Sequence, residues 1–115
     1  MKTRKSAPKK AVKPPNTYVA RSGIHGRGLF AGEKIPRDTV IGTCEVQPAR
    51  RNGAYVLWIE DEDGNEAGYR VLNAMRFINH SKRPNAVYLD DFTVVALRAI
   101  KPGDEITHDY GEAWT

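Results

Sequence analysis

One cysteine and three histidines in 115 residues remove several chemistries at once. A lone Cys44 cannot form an internal disulfide. Together with His25, His80 and His108 it gives no set of soft or imidazole ligands at metal-binding spacing, so no metal is expected. Long apolar runs are missing as well, since nothing approaches the roughly 18 residues of a membrane span, and no membrane is expected among the partners. The basic start leads into prolines and lysines instead of the apolar stretch of a signal peptide. The expected compartment is the cytoplasm.

Acid is also missing from one part of the chain. Residues 1–16, MKTRKSAPKKAVKPPN, hold six of the 18 lysines and arginines and none of the 14 acids, which leaves 12 basic and 14 acidic groups for residues 17–115. The basic isoelectric point therefore belongs to a Pro/Lys/Ala-rich arm, expected to be disordered and capable of weak nucleic-acid contact. The body is mildly acidic. Glu60, Asp61, Glu62, Asp63 and Glu66 read either as a solvated hairpin tip or as a surface that attracts a cationic partner.

What remains fits a single mainly β domain over residues 17–115. TYVARS (17–22) and TVIGTCEV (39–46) have strand composition. AYVLWIE (54–60) and AGYRVLN (67–73) flank the turn sequence DEDGN as a hairpin. NAVYLD and FTVVALRAI form a second hairpin across Asp91, NAMRFI offers a helical turn, and Lys101-Pro102-Gly103-Asp104 a tight turn. Several short strands with little helix and no repeat are expected.

Familiar catalytic patterns fail. GIHGRG (23–28) lacks both the dinucleotide fingerprint and the P-loop ending, although its three glycines permit close approach of backbone to a ligand. Ser81 next to His80 lacks a nucleophile elbow.

Three separated segments carry the informative pattern: GIHGRGLFA (23–31), RFINHSKRPN (76–85) and DEITHDYG (104–111). In order and spacing they resemble the signatures of SET-domain protein lysine methyltransferases, in particular the small viral and bacterial type. The resemblance spans about residues 17–114 and implies a fold of several small sheets, with a C-terminal pseudoknot that sets the NHS segment beside the DYG segment. It implies S-adenosylmethionine as cofactor, S-adenosylhomocysteine as product, and a basic protein or peptide as substrate, histone or histone-like. The compartment it implies is the nucleoid in a bacterium or the nucleus in a eukaryote.

By matching position, Tyr110 is the catalytic tyrosine. His25, Arg27, Gly28, Arg76, Asn79, His80 and Trp114 are the implied cofactor contacts, whereas Tyr55, His108 and Tyr69 are the implied substrate channel. Tyr55 and Tyr69 also read as ordinary strand aromatics, and Asn79 and His80 as a self-satisfied polar network.

The chemistry suits these residue types. Methyl transfer to an amine is a displacement in which the cofactor supplies reactivity and the protein alignment. The lysine must lose its proton, and an apolar channel favours its neutral form.

Departures from the family pattern are informative. Lys82 stands where many relatives carry a cysteine after NHS, and no cysteine cluster follows Gly111, so the zinc-binding module that often closes the pocket is missing. Trp114 or a second subunit of a homodimer would replace that wall. The alternative function is a noncatalytic module of the same fold that binds basic proteins or, through its arm, nucleic acid.

Overall fold

The computed structural model describes residues 3–10, 13–53 and 55–109. Its elements are short strands plus a single 3-10 turn over Ala74–Phe77, as expected from a sequence rich in turns and poor in helical periodicity. β1 (Thr17–Arg21) pairs antiparallel with β2 (Arg27–Ala31), and the glycine loop connects them. β4 (Val46–Ala49), β6 (Glu66–Val71) and β5 (Val56–Glu60) form a three-stranded sheet in that order. β3 (Val40–Thr43), β9 (Thr93–Ala96) and β8 (Ala86–Tyr88) form another. β7 (Asn79–His80) and β10 (Thr107–His108) make a parallel pair.

Both expected hairpins are present, as β5–β6 and β8–β9. TVIGTCEV, read as one strand, is divided between two sheets. Its first half pairs with β9 and its second half with β6, and the Cys44 N–H donates to the Phe92 carbonyl at the break. FTVVALRAI is also shorter as a strand than expected. β9 ends at Ala96, after which Ile100 forms an isolated bridge with Ile35.

Side-chain alternation explains the core. Along β8 and β9, Ala86, Tyr88, Val94 and Ala96 face the main cluster with Leu29, Ile35, Ile78 and Ile106. The intervening Val87, Leu89 and Val95 face a second cluster with Val40, Leu97 and Ala7. The sheet is thus apolar on both faces, which is why these segments read as nearly continuous hydrophobic runs.

Ala7 belongs to the basic arm, whose described residues lie against the body. Arg4 bridges Leu89 and Lys10 bridges Thr39, both parallel. The Arg4 N–H donates to the Tyr88 carbonyl (2.9 Å), and the Asp90 N–H donates to the Arg4 carbonyl (3.0 Å). Lys9 pairs with Asp91, and the Thr3 hydroxyl bonds Asp90. The body offers these residues an open strand edge, carboxylates and an apolar face, each of which acts against the ordering entropy.

Candidate cofactor and substrate site

Strand β7 is two residues long, yet it positions the most connected side chain of the site. Asn79 is buried, and its amide Nδ2 donates to the carbonyls of His25 (3.0 Å) and Arg27 (3.1 Å) and to Glu105 Oε2 (2.9 Å). Two carbonyls and a carboxylate around one atom assign it as the nitrogen. The other amide atom, Oδ1, accepts no hydrogen bond from the described residues.

The glycine loop is closed from its other end by Ser22. Its hydroxyl donates to the Glu105 carboxylate, with oxygens at 2.7 and 2.8 Å, and accepts from the N–H groups of Ile24 and His25. The Ser22 N–H donates to the Gly26 carbonyl, and Gly26 has φ +47°, a backbone conformation that glycine adopts without Cβ strain. Gly28 is buried over the same carboxylate. A Cβ there would lie 2.4 Å from Glu105 Oε2, so only a residue without a side chain leaves Glu105 in place.

Glu105 is therefore the hub of the site, and Asn85 extends it. The Asn85 amide donates to the Glu105 carbonyl (2.9 Å), and its Oδ1 accepts from the Thr107 N–H (2.8 Å). Both asparagines of the NHS-x-x-PN segment thus hold the C-terminal segment. Parallel pairing of Asn79 with Thr107 and of His80 with His108 completes the junction. His80 Nδ1 lies 3.8 Å from Asp109 Oδ1.

The other expected site residues separate into groups. His25 and Arg27 are exposed at the loop. Arg76 is directed elsewhere: its guanidinium donates to the Leu72 carbonyl (2.8 Å) and lies 4.2 Å from the centre of the Phe77 ring. Phe77 meets Tyr55 edge-on at 6.3 Å, so Arg76 lies beside the aromatic pair of Tyr55 and Phe77. Tyr55 is exposed and has φ +68°, a strained setting for a residue with a side chain. Tyr69 packs edge-on against Phe92 at 5.0 Å, as a strand aromatic does, and is not brought to Tyr55. His108 is buried with its ring edge-on to Tyr88 at 4.6 Å, while the Tyr88 hydroxyl donates to the Met75 carbonyl. Tyr110 and Trp114 lie outside the described residues. The single cysteine is not part of this chemistry, because burial pushes the Cys44 thiol up to about 12.

Comparison with known proteins decides the family. The SET domain model matches residues 26–111. The chain belongs to the SET-domain family. It is 35% identical over 113 residues to human histone-lysine N-methyltransferase 2B, covering 80% of this chain and 4% of that protein. It is 38% identical over 114 residues to the trithorax histone-lysine N-methyltransferase of Drosophila virilis, covering 80% of this chain and 3% of that protein. The chain thus spans a small fraction of the length of these relatives.

Among solved structures, KRYPTONITE in complex with mCHH DNA, an H3(1-15) peptide and SAH is similar with TM-score 0.64 and 27% identity, over 84% of this chain and 23% of that one. A Plasmodium falciparum protein described as a candidate histone methyltransferase shares the fold, with TM-score 0.65 and 21% identity over 90% of this chain and 98% of that one. The SET fold, with its several small sheets, is the architecture expected from the three motif segments.

SET methyltransferases use S-adenosylmethionine, and the residues present suit that group. Nothing lies within 4 Å of where a Cβ would project at Gly23 or Gly26, so a ligand can approach the loop backbone. Asn79 Oδ1 is an acceptor suited to an ammonium group, and the exposed Arg27 guanidinium is suited to a carboxylate.

Proposed function

We propose that the chain is an S-adenosylmethionine-dependent protein lysine N-methyltransferase acting on basic, histone-like tails. The observation that carries this reading is the β7–β10 pairing, which sets Asn79 and His80 beside Thr107 and His108, with His108 two residues before Tyr110 in the sequence. Two motif segments that mean little apart then share one junction with the glycine loop.

Arg27, Gly28, Asn79 and His80, with His25, would hold the cofactor, which when bound supplies an electrophilic methyl group. The chain's own contribution is orientation and desolvation. Glu105 holds Asn79 and Ser22, and Ser22 fixes the loop. Tyr55 and Phe77 supply an aromatic wall for an aliphatic lysine stem. An apolar wall favours the neutral amine, because desolvation acts against its charged form. By its place in the DYG segment Tyr110 would be the catalytic tyrosine, and Trp114 or a second copy of the chain would complete the pocket.

The acidic residues of the β5–β6 hairpin favour a lysine-rich substrate over a phosphate-rich one. The test is labelled methyl transfer from S-adenosylmethionine to a mixture of basic proteins. Wild type should label a lysine in a basic tail and Tyr110→Phe should label far less. No incorporation by wild type, with cofactor bound, would refute the catalytic reading.

A further inference from the structure

The β3–β9–β8 sheet has an apolar outer face of Val87, Leu89 and Val95, packed with Val40 and Leu97. In an antiparallel sheet of this size one face is commonly left to water. Here a segment of chain lies across it, from the bridge of Arg4 with Leu89 at the β8 edge to that of Lys10 with Thr39 near β3. Ala7 sits between them on the apolar cluster.

The manner of seating indicates what the face accepts. Its three main-chain hydrogen bonds, Arg4 N–H to the Tyr88 carbonyl, Asp90 N–H to the Arg4 carbonyl and Lys10 N–H to the Asp38 carbonyl, are available to any extended segment. Asp91 pairs with Lys9 and Asp90 takes the Thr3 hydroxyl, which selects for basic and hydroxyl-bearing chains. Lys5 shares a cavity of about 90 Å³ with Trp58, Glu60 and Glu66, adding two acids. Yet the seating is shallow: Arg4, Lys5, Ser6, Pro8, Lys9 and Lys10 all remain exposed.

We propose that this face is a docking site for an extended, lysine-rich tail of another protein, and that residues 3–10 are its built-in occupant, displaced when such a tail binds. Four acids around the groove repel a phosphate backbone, so the ligand is a basic peptide and not a nucleic acid. Exchange also reaches the catalytic end of the molecule. A cavity of about 180 Å³ is lined by Thr3 and Arg4 together with Ala86, Val87, His108 and Asp109. The inference gives a location to the tail preference of the methyltransferase reading and rests on that reading for its use. Binding alone tests it, so its failure leaves that reading untouched.

The probe is a fluorescent peptide, TRKSAPKK, titrated into the full chain. A tethered arm competes at about millimolar effective concentration, and a face open a tenth of the time binds about tenfold more weakly than an open one. Combining Ala7→Asp with Lys9→Glu undocks the arm and leaves the face unchanged. This variant should bind the peptide about tenfold tighter than wild type, and adding Asp91→Lys should remove the gain. Equal affinity of wild type and the undocked chain, or indifference to Asp91→Lys, would each overturn the proposal. A second measurement needs no folded variant: unlabelled peptide added to isotope-labelled wild-type chain should move the amide resonances of Arg4 and Asp90. Unmoved resonances at saturating peptide would equally overturn it.

Discussion

The Asn79 amide and the Glu105 carboxylate meet at 2.9 Å, across 26 residues of sequence. Through this bond the NHS segment, the glycine loop and the C-terminal segment act as one unit, since Glu105 also receives the Ser22 hydroxyl. Removing the carboxylate leaves the Asn79 amide one acceptor short in a buried position. Glu105→Ala should destabilise the protein by about 1.5–3 kcal/mol and weaken cofactor binding, with Glu105→Gln partly restoring both. Thermal melting and cofactor titration check this, and an unchanged melting temperature in Glu105→Ala would remove Glu105 from its place as hub.

Gly28 tests the same unit from the loop side. The Cβ of Gly28→Ala would meet Glu105 Oε2 at 2.4 Å and its Cδ at 2.8 Å. The carboxylate is the end of a flexible side chain and can move, but only by leaving Ser22 and Asn79. A loss of roughly 1–3 kcal/mol is expected. In the Glu105→Ala background the same substitution should be nearly neutral. That non-additivity, measured as a double-mutant cycle, separates steric displacement of Glu105 from a general intolerance of alanine.

Acid should loosen the arm. Partial burial raises the Asp91 carboxyl, but hydrogen bonds from Lys9 and Thr93 and the Lys9 charge outweigh it and hold the group down to about 2. A depressed carboxyl contributes stability that is complete above its unfolded value of about 3.9 and disappears as pH falls toward 2. The pair is about half exposed on the Asp91 side, so its contribution is modest, roughly 0.2–1 kcal/mol. The difference in melting temperature between wild type and Lys9→Ala should therefore be constant from pH 7 to about 5 and shrink steadily as pH falls from about 4 toward 2. A difference of the same size at pH 2 as at pH 7 would mean that Lys9 acts through packing.

Cys44 should be inert while the chain is folded. It is 5% exposed, and burial pushes its thiol up to about 12, so almost no thiolate exists at neutral pH. Reaction with a thiol reagent at pH 8 should follow unfolding, with a rate independent of reagent concentration once reagent is in excess. Fast labelling of native protein would show that the site opens locally.

The sequence made some of this legible and concealed the rest for identifiable reasons. Both hairpins announced themselves, because DEDGN and Asp91 lie between β-rich runs. The 3-10 turn at Ala74–Phe77 was visible as NAMRFI. By contrast, the split of TVIGTCEV between two sheets depends on what Val40 and Val46 pair with 55 and 25 residues away, which local composition does not encode. Asn79 is legible through its motif, whereas nothing in DEITHDYG itself marks Glu105 as a hub. It is an acid directly before a buried Ile-Thr-His run, and its partners Ser22 and Asn79 lie far off in sequence. Arg76 adjoins NHS in sequence, and its guanidinium lies at Leu72 and Phe77, a placement that the sequence does not encode.

The bond from Ser22 to Glu105 spans 83 residues, and this separation bears on when the site comes into being. Contacts so distant in sequence are formed only after most loop-closure entropy has been overcome, so a partly folded chain holds hairpins but no assembled pocket. Amide exchange in the Ser22–Gly28 loop and in the Glu105–His108 segment should then report a single opening event. Binding competence in this molecule is a late product of folding, and any perturbation that delays closure of the chain's two ends delays it too.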